Sequence, residues 1–214
     1  MRYLLCLCAA LSVGWAGYVL KWALPVYLNP FDKALSPYND DYAGSMPEGQ
    51  WDVTGDGARD CIGIGVPGDD TAIVLLDGIT HQPTWVLPYP PDFSPGVVHL
   101  SSIVAWDGSK DTFLIVCFGG SSPEHSPVRP GVMVYRCSDH SLTFSVPQPA
   151  SGSLVEAGPC PDLDGDGLPE IALYVCDGDD TTPDAGTCEF YGWSKTSGAP
   201  PKPPKLPEGF PVGR

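Results

Sequence analysis

Asp162-Leu163-Asp164-Gly165-Asp166-Gly167-Leu168-Pro169-Glu170, running straight into Ile171-Ala172-Leu173-Tyr174-Val175-Cys176, decides how the chain is read. Acidic side chains stand at positions 1, 3, 5 and 9 of the nonapeptide, and its glycines let the backbone turn tightly around a central point. The apolar run that follows has the length and composition of a buried strand. A second copy, Asp52-Val53-Thr54-Gly55-Asp56-Gly57-Ala58-Arg59-Asp60, leads into Cys61-Ile62-Gly63-Ile64-Gly65-Val66 in the same way.

The spacing predicts two cages of hard oxygens. One comprises Asp52, Thr54, Asp56 and Asp60 with the carbonyl of Ala58; the other comprises Asp162, Asp164, Asp166 and Glu170 with the carbonyl of Leu168. Calcium is the expected ion, because neither loop offers the Cys or His that zinc prefers, and magnesium demands a stricter octahedron. The loops are not EF-hands: position 12, where an EF-hand needs a bidentate Glu, is Gly63 in one and Leu173 in the other. Thr54 stands where an acid would add charge, so the first cage is expected to hold calcium more weakly.

Working outward, the first cage is followed by expected strands at Cys61 to Val66, Thr71 to Leu76 and around Thr84 to Leu87, with turns at Pro67 to Asp70 and Asp77-Gly78. A second unit runs through Val97 to Trp106, Thr112 to Phe118, Gly131 to Arg136 and Leu142 to Val146 without a cage. A third restores it, with Leu154-Val155 before the cage and Ile171 to Cys176 and Cys188 to Trp193 after it. Three units of roughly 45 to 50 residues, mostly of four short strands, are the sequence behaviour of propeller blades. The expected fold is therefore all-β, a partial β-propeller of about three four-stranded antiparallel blades over residues 51–196, preceded by an N-terminal hydrophobic helix.

That helix is read from Tyr3 to Leu20, an uncharged Leu-, Ala- and Val-rich stretch between Arg2 and Lys21. Its 18 residues just reach a bilayer-spanning length, and Gly14-Trp15-Ala16 offers a small-x-small cleavage point. Trp15, Tyr18 and Trp22 resemble an interfacial aromatic belt and Arg2 favours a cytoplasmic N-terminus, so residues 1–21 are read as a signal anchor, with a cleaved signal peptide as the alternative. Residues 22–50 read as a juxtamembrane stalk. The expected localisation is a single-pass membrane protein with residues 22–214 extracellular or lumenal, or a secreted protein after cleavage. Residues 197–214, with Pro200, Pro201, Pro203, Pro204, Pro207 and Pro211, read as a disordered tail.

Six cysteines lie beyond the leader, an even number for a chain entering an oxidising route, so disulfides are expected. Cys176 with Cys188 and Cys117 with Cys137 each bracket a loop and are the first pairings to consider, among 15 that sequence permits.

A net charge of -15, with only 11 lysines and arginines, excludes a basic stripe for nucleic acid and points to cations instead. No nucleophile elbow, zinc-protease helix or phosphate loop occurs, and His81, His99, His125 and His140 are scattered singly. The chain is therefore expected not to be an enzyme.

Asp162 to Glu170 followed by Ile171-Ala172-Leu173, and Asp52 to Asp60 followed by Cys61-Ile62-Gly63-Ile64, resemble FG-GAP repeats. Such repeats build the calcium-binding propeller heads of integrin α subunits and of several single-pass membrane proteins. The resemblance covers about Trp51 to Trp193 and implies a non-enzymatic extracellular module, stabilised by calcium, that presents loops to another protein. The alternative is a lectin-like or hydrolase-associated propeller fragment, since a fold hosts many functions. A closed propeller needs at least four blades, so three imply a shortened form, or completion of the propeller by another chain.

Overall fold

A computed structural model describes residues 17–26, 52, 54, 56–58, 60–66, 69–88, 97–119, 130–147, 155–176, 186–194, 205, 206 and 208–210. Among them the chain is all-β, without a helix. In order the strands are β1 (Gly17–Val26), β2 (Cys61–Val66), β3 (Asp69–Leu76), β4 (Pro83–Pro88), β5 (Val97–Val104), β6 (Thr112–Gly119), β7 (Pro130–Arg136), β8 (Leu142–Pro147), β9 (Val155–Cys160), β10 (Glu170–Cys176) and β11 (Gly186–Ser194).

They form three antiparallel sheets. The first is β2-β3-β4, the second β5-β6-β7-β8 and the third β1-β11-β10-β9. Strand β6 shows why the sheets stack. Its sequence Thr-Phe-Leu-Ile-Val-Cys-Phe-Gly is apolar at every inner position, so both faces must be covered. Leu114, Val116 and Phe118 pack with Ile73 and Leu75 of β3, with Trp85 and Leu87 of β4 against them. Phe113, Ile115 and Cys117 point the other way, to Ala157 of β9 and Ile171 and Leu173 of β10. The second sheet thus lies between the other two, and all six of these β6 side chains are at most 1 % exposed. Burying them contributes about 1.5–3 kcal/mol for each large side chain before conformational entropy is set against it.

The outer face of the third sheet carries its own apolar cluster, Cys160, Leu163, Ala172, Tyr174, Cys188 and Phe190. Leu206 and Phe210 from the proline-rich C-terminal segment pack against it, and the Lys205 amide donates to the Leu163 carbonyl at 2.8 Å. At these residues the segment is docked on the sheet, which corrects the expectation of disorder there. Two apolar side chains in a proline-rich stretch are enough to seat it, because the cluster they cover would otherwise face water.

The N-terminal expectation also changes. Gly17 to Leu20, read as the end of a hydrophobic helix, and Lys21 to Val26, read partly as stalk, form β1, paired with β11 from Gly17↔Ser194 to Val26↔Gly186. Residues 1–16 of the leader and 27–50 of the stalk lie outside the described residues. No helix among the described residues is long and apolar enough to cross a membrane. Tyr18 explains the strand: its ring stacks on Trp106 at 3.9 Å and meets Trp193 edge-on at 4.8 Å, so it belongs to the core between the second and third sheets.

Neither of the two pairings considered first is formed. Cys117 and Cys137 are buried thiols outside any disulfide. The Cys137 amide donates to the carbonyl of Thr112, at the opposite end of β6 from Cys117. At about 3.4 Å per residue the two lie about 17 Å apart along the strand, whereas a bridge needs Cα atoms within about 7 Å. Cys188 is also a free buried thiol, facing the outer cluster of the third sheet, so it has no bridge to Cys176.

Candidate metal centre

Both acidic loops fold by the same local rule. The position 1 carboxylate reaches across the turn to backbone amides at positions 5 and 6: Asp52 accepts from Asp56 (2.9 Å) and Gly57 (2.7 Å). Asp162 likewise accepts from Asp166 (3.2 Å) and Gly167 (2.8 Å), and also from Gly165 (2.6 Å). The position 5 carboxylate then accepts from the amide at position 7, Asp56 from Ala58 (2.7 Å) and Asp166 from Leu168 (2.8 Å). Gly57 and Gly167 both sit at φ +86°, a left-handed conformation that explains a glycine at position 6 in each copy. These amides hold the Asp162 carboxyl below its usual range, although its partial burial pushes the other way.

The last position differs in what it reaches. Asp60 accepts from the Thr54 amide (2.8 Å), the Thr54 hydroxyl (3.3 Å) and the Gly78 amide (2.9 Å), so it ties the first loop to the β3–β4 turn. Glu170, fully buried, accepts from the Leu163 amide (2.7 Å) and leaves its other oxygen inside the loop.

The outcome is that the second loop gathers its acids. Carboxylate oxygens of Asp162, Asp164, Asp166 and Glu170 lie within 4.8 Å of one another, and the group can hold a metal ion. Among the described residues no such group forms from Asp52, Asp56 and Asp60. Leu168 is buried, with its amide on Asp166, while Ala58 is partly exposed.

One member of the site was missed in the sequence. Lys21 of β1 extends its ammonium into the second loop, 2.8 Å from Asp164 Oδ2, 3.0 Å from Asp166 Oδ2 and 2.7 Å from Glu170 Oε1. Its side chain is 4 % exposed. Burial alone would depress the lysine pKa, yet hydrogen bonds to Asp164, Glu170 and Asp166 raise it above its ordinary value, so Lys21 is charged. Glu170 moves up as well, to about 7, because burial outweighs the share of one ammonium that it receives. Four acids meeting a single positive charge is a site still short of cation, which fits a divalent ion by charge and by its all-oxygen donor set.

The corresponding loop of the second sheet, between β5 and β6, also takes a single cation from a strand. Arg136 at the end of β7 pairs with Asp107 (2.6 Å) and Asp111 (3.2 Å). Trp85 of β4 stacks on His140 at 4.5 Å, and the Trp106 indole N–H donates to the Tyr191 carbonyl of β11. These contacts bring the acidic loops of all three sheets to one end of the stack.

Three of the buried thiols are held in the protonated form. Burial pushes Cys137 up to about 12 and raises Cys160 and Cys188 further, far from the thiolate range.

No protein family, curated protein or solved structure matches the chain.

Proposed function

We propose that the protein is a non-enzymatic, calcium-binding β module of the partial propeller kind, whose acidic loop end presents a binding surface to another protein. The observation that carries this reading is the convergence of Asp162, Asp164, Asp166 and Glu170 within 4.8 Å at the mouth of β10. The FG-GAP resemblance of both loops supports calcium as the ion, and the repeated hydrogen-bond pattern of the two turns supports a shared structural role. With a net charge of -15 and the acidic loops gathered at one end, a partner with a basic surface is favoured by complementarity. Calcium bound only to the folded state stabilises it by mass action.

The proposed location is outside the cell or in a lumen. Because Gly17 to Leu20 belong to β1, release of a leader after Ala16 leaves the fold intact, whereas anchoring through residues 1–21 removes those residues from the sheet. Secretion after cleavage is therefore the favoured form of this reading. Mass spectrometry of the exported protein tests it: an N-terminus at Gly17 supports secretion and retention of Met1 supports the anchor.

A thermal melt with calcium and with chelator tests the ion. The expected result is a higher midpoint with calcium, and a smaller rise in Asp166→Ala, whose side chain is the most exposed of the three that pair with Lys21. An identical midpoint with and without calcium in both proteins would remove calcium from the function.

A further inference from the structure

We infer that Lys21 is the resident cation of the loop Asp162 to Glu170, and that a divalent ion enters only by displacing it, so that calcium and the N-terminal strand compete for one set of carboxylates. The inference rests on the proposed cation site and adds how that site is controlled.

Three separate features of the chain serve this one ammonium. The first is a bulge in β1. Leu20 lies opposite Tyr191 and Trp22 opposite Phe190, so Lys21 is the extra residue between two neighbouring partners. A bulge re-aims the side chain it carries, and here it turns Lys21 out of the strand's alternation and toward the loop. The second is Gly192 of β11. A Cβ there would run into Lys21 Cε and stand 2.8 Å from Nζ and 3.0 Å from Cδ, so any other residue would push the lysine stem from its present path. The third is the seat itself: Asp164, Asp166 and Glu170 each give one oxygen at 2.7 to 3.0 Å from Nζ, on residues 143 to 149 positions away in sequence.

Calcium needs oxygens at about 2.3–2.6 Å, and three of the four carboxylates that could surround it already hold Nζ. Two cations cannot stand at one centre, so binding an ion requires the ammonium to leave. Lys21 is the bulged residue of β1, outside the strand's paired positions, so its side chain can leave the loop while β1 stays paired with β11. A divalent ion is thereby read out as exposure of the Lys21 ammonium.

Two measurements on the full chain test this, with calcium alone as the probe. In the first, acetylation of Lys21 is followed by mass spectrometry. The expected result is slow modification without calcium and at least tenfold faster modification when calcium saturates the protein. In the second, calcium is titrated by calorimetry into the wild type, Lys21→Met and, in case that variant folds poorly, Gly192→Ala, which crowds the same stem. Both variants are expected to bind at least tenfold more tightly, and Asp164→Asn placed on either is expected to reverse the gain. Uptake by Lys21→Met without uptake by the wild type supports the inference while refuting calcium as the wild-type ligand. Equal affinity in wild type and variants, or a Lys21 that stays protected with calcium bound, overturns the inference and leaves the calcium reading standing. Absence of uptake in every protein overturns both.

Discussion

The Lys21 ammonium lies 2.7 Å from the Glu170 carboxylate across 149 residues of sequence, and this pair joins the edge strand β1 to the base of the acidic loop. Both side chains are withdrawn from solvent, Glu170 completely. Removing Glu170 leaves the buried ammonium with only Asp164 and Asp166, and a buried charge that loses one of its partners keeps its full desolvation penalty.

Glu170→Ala is therefore expected to destabilise the fold by about 1–3 kcal/mol, seen as a lower midpoint in urea unfolding. Glu170 also holds the Leu163 amide, so the loop loses a backbone anchor at the same time. An unchanged midpoint would mean that the pair contributes nothing to the fold.

The covering of the third sheet by Leu206 and Phe210 gives the second expectation. Phe210 sits 5.8 Å from Phe190, ring centre to ring centre, and is only partly buried. Phe210→Ala is expected to cost about 1–2 kcal/mol, less than a fully buried phenylalanine would, and to increase hydrophobic dye binding through the exposed face. Unchanged stability and dye binding would show that the segment does not cover the sheet in solution.

The four described buried cysteines give the third. Cys117, Cys137, Cys160 and Cys188 are expected to be silent to a thiol reagent in the native protein and to react on unfolding without reductant. Failure to react after unfolding would show that they are bridged.

Alkaline pH gives the fourth. Burial, helped by the charge of Asp107, raises Tyr18 from 10.0 to about 12. A phenol whose folded pKa lies above its unfolded one keeps its proton longer in the folded state, so its contribution is whole below pH 10 and is lost between pH 10 and about 12. Tyr135 is raised in the same sense. Stability measured by denaturant at stepped pH is expected to fall through this window, with a shallower slope in Tyr18→Phe. Parallel slopes in the two proteins would place Tyr18 outside the core.

Nine of the eleven strands were readable in the sequence to within a few residues, because short apolar runs between Asp-Gly turns and glycine- or proline-rich loops leave few other folds open. Of β9 only its start at Val155 was marked, since Pro159 and two small residues interrupt its apolar run. The other exception is β1. Its first residues continue an unbroken apolar stretch, and without alternation a strand looks like the end of a helix. The acidic loop was legible as well, since the donors sit within nine residues of one another. Lys21 was not, because nothing local links a lysine after a leader to carboxylates 143 to 149 residues later; only the pairing of β1 with β11 brings them together. The cysteine pairs failed for a related reason. Bracketing a loop in sequence does not place two side chains side by side, and Cys117 and Cys137 belong to opposite faces of the second sheet. In the C-terminal segment, proline content masked Leu206 and Phe210, whose role depends on an apolar face that only the folded sheet provides.

The most direct test of the cation site is anomalous diffraction from crystals grown with saturating terbium in place of calcium. The expected result is a single strong peak among the oxygens of Asp162, Asp164, Asp166 and Glu170, with the Lys21 ammonium withdrawn from them. Lys21 still seated on all three of its carboxylates, with no peak in the loop, would contradict it.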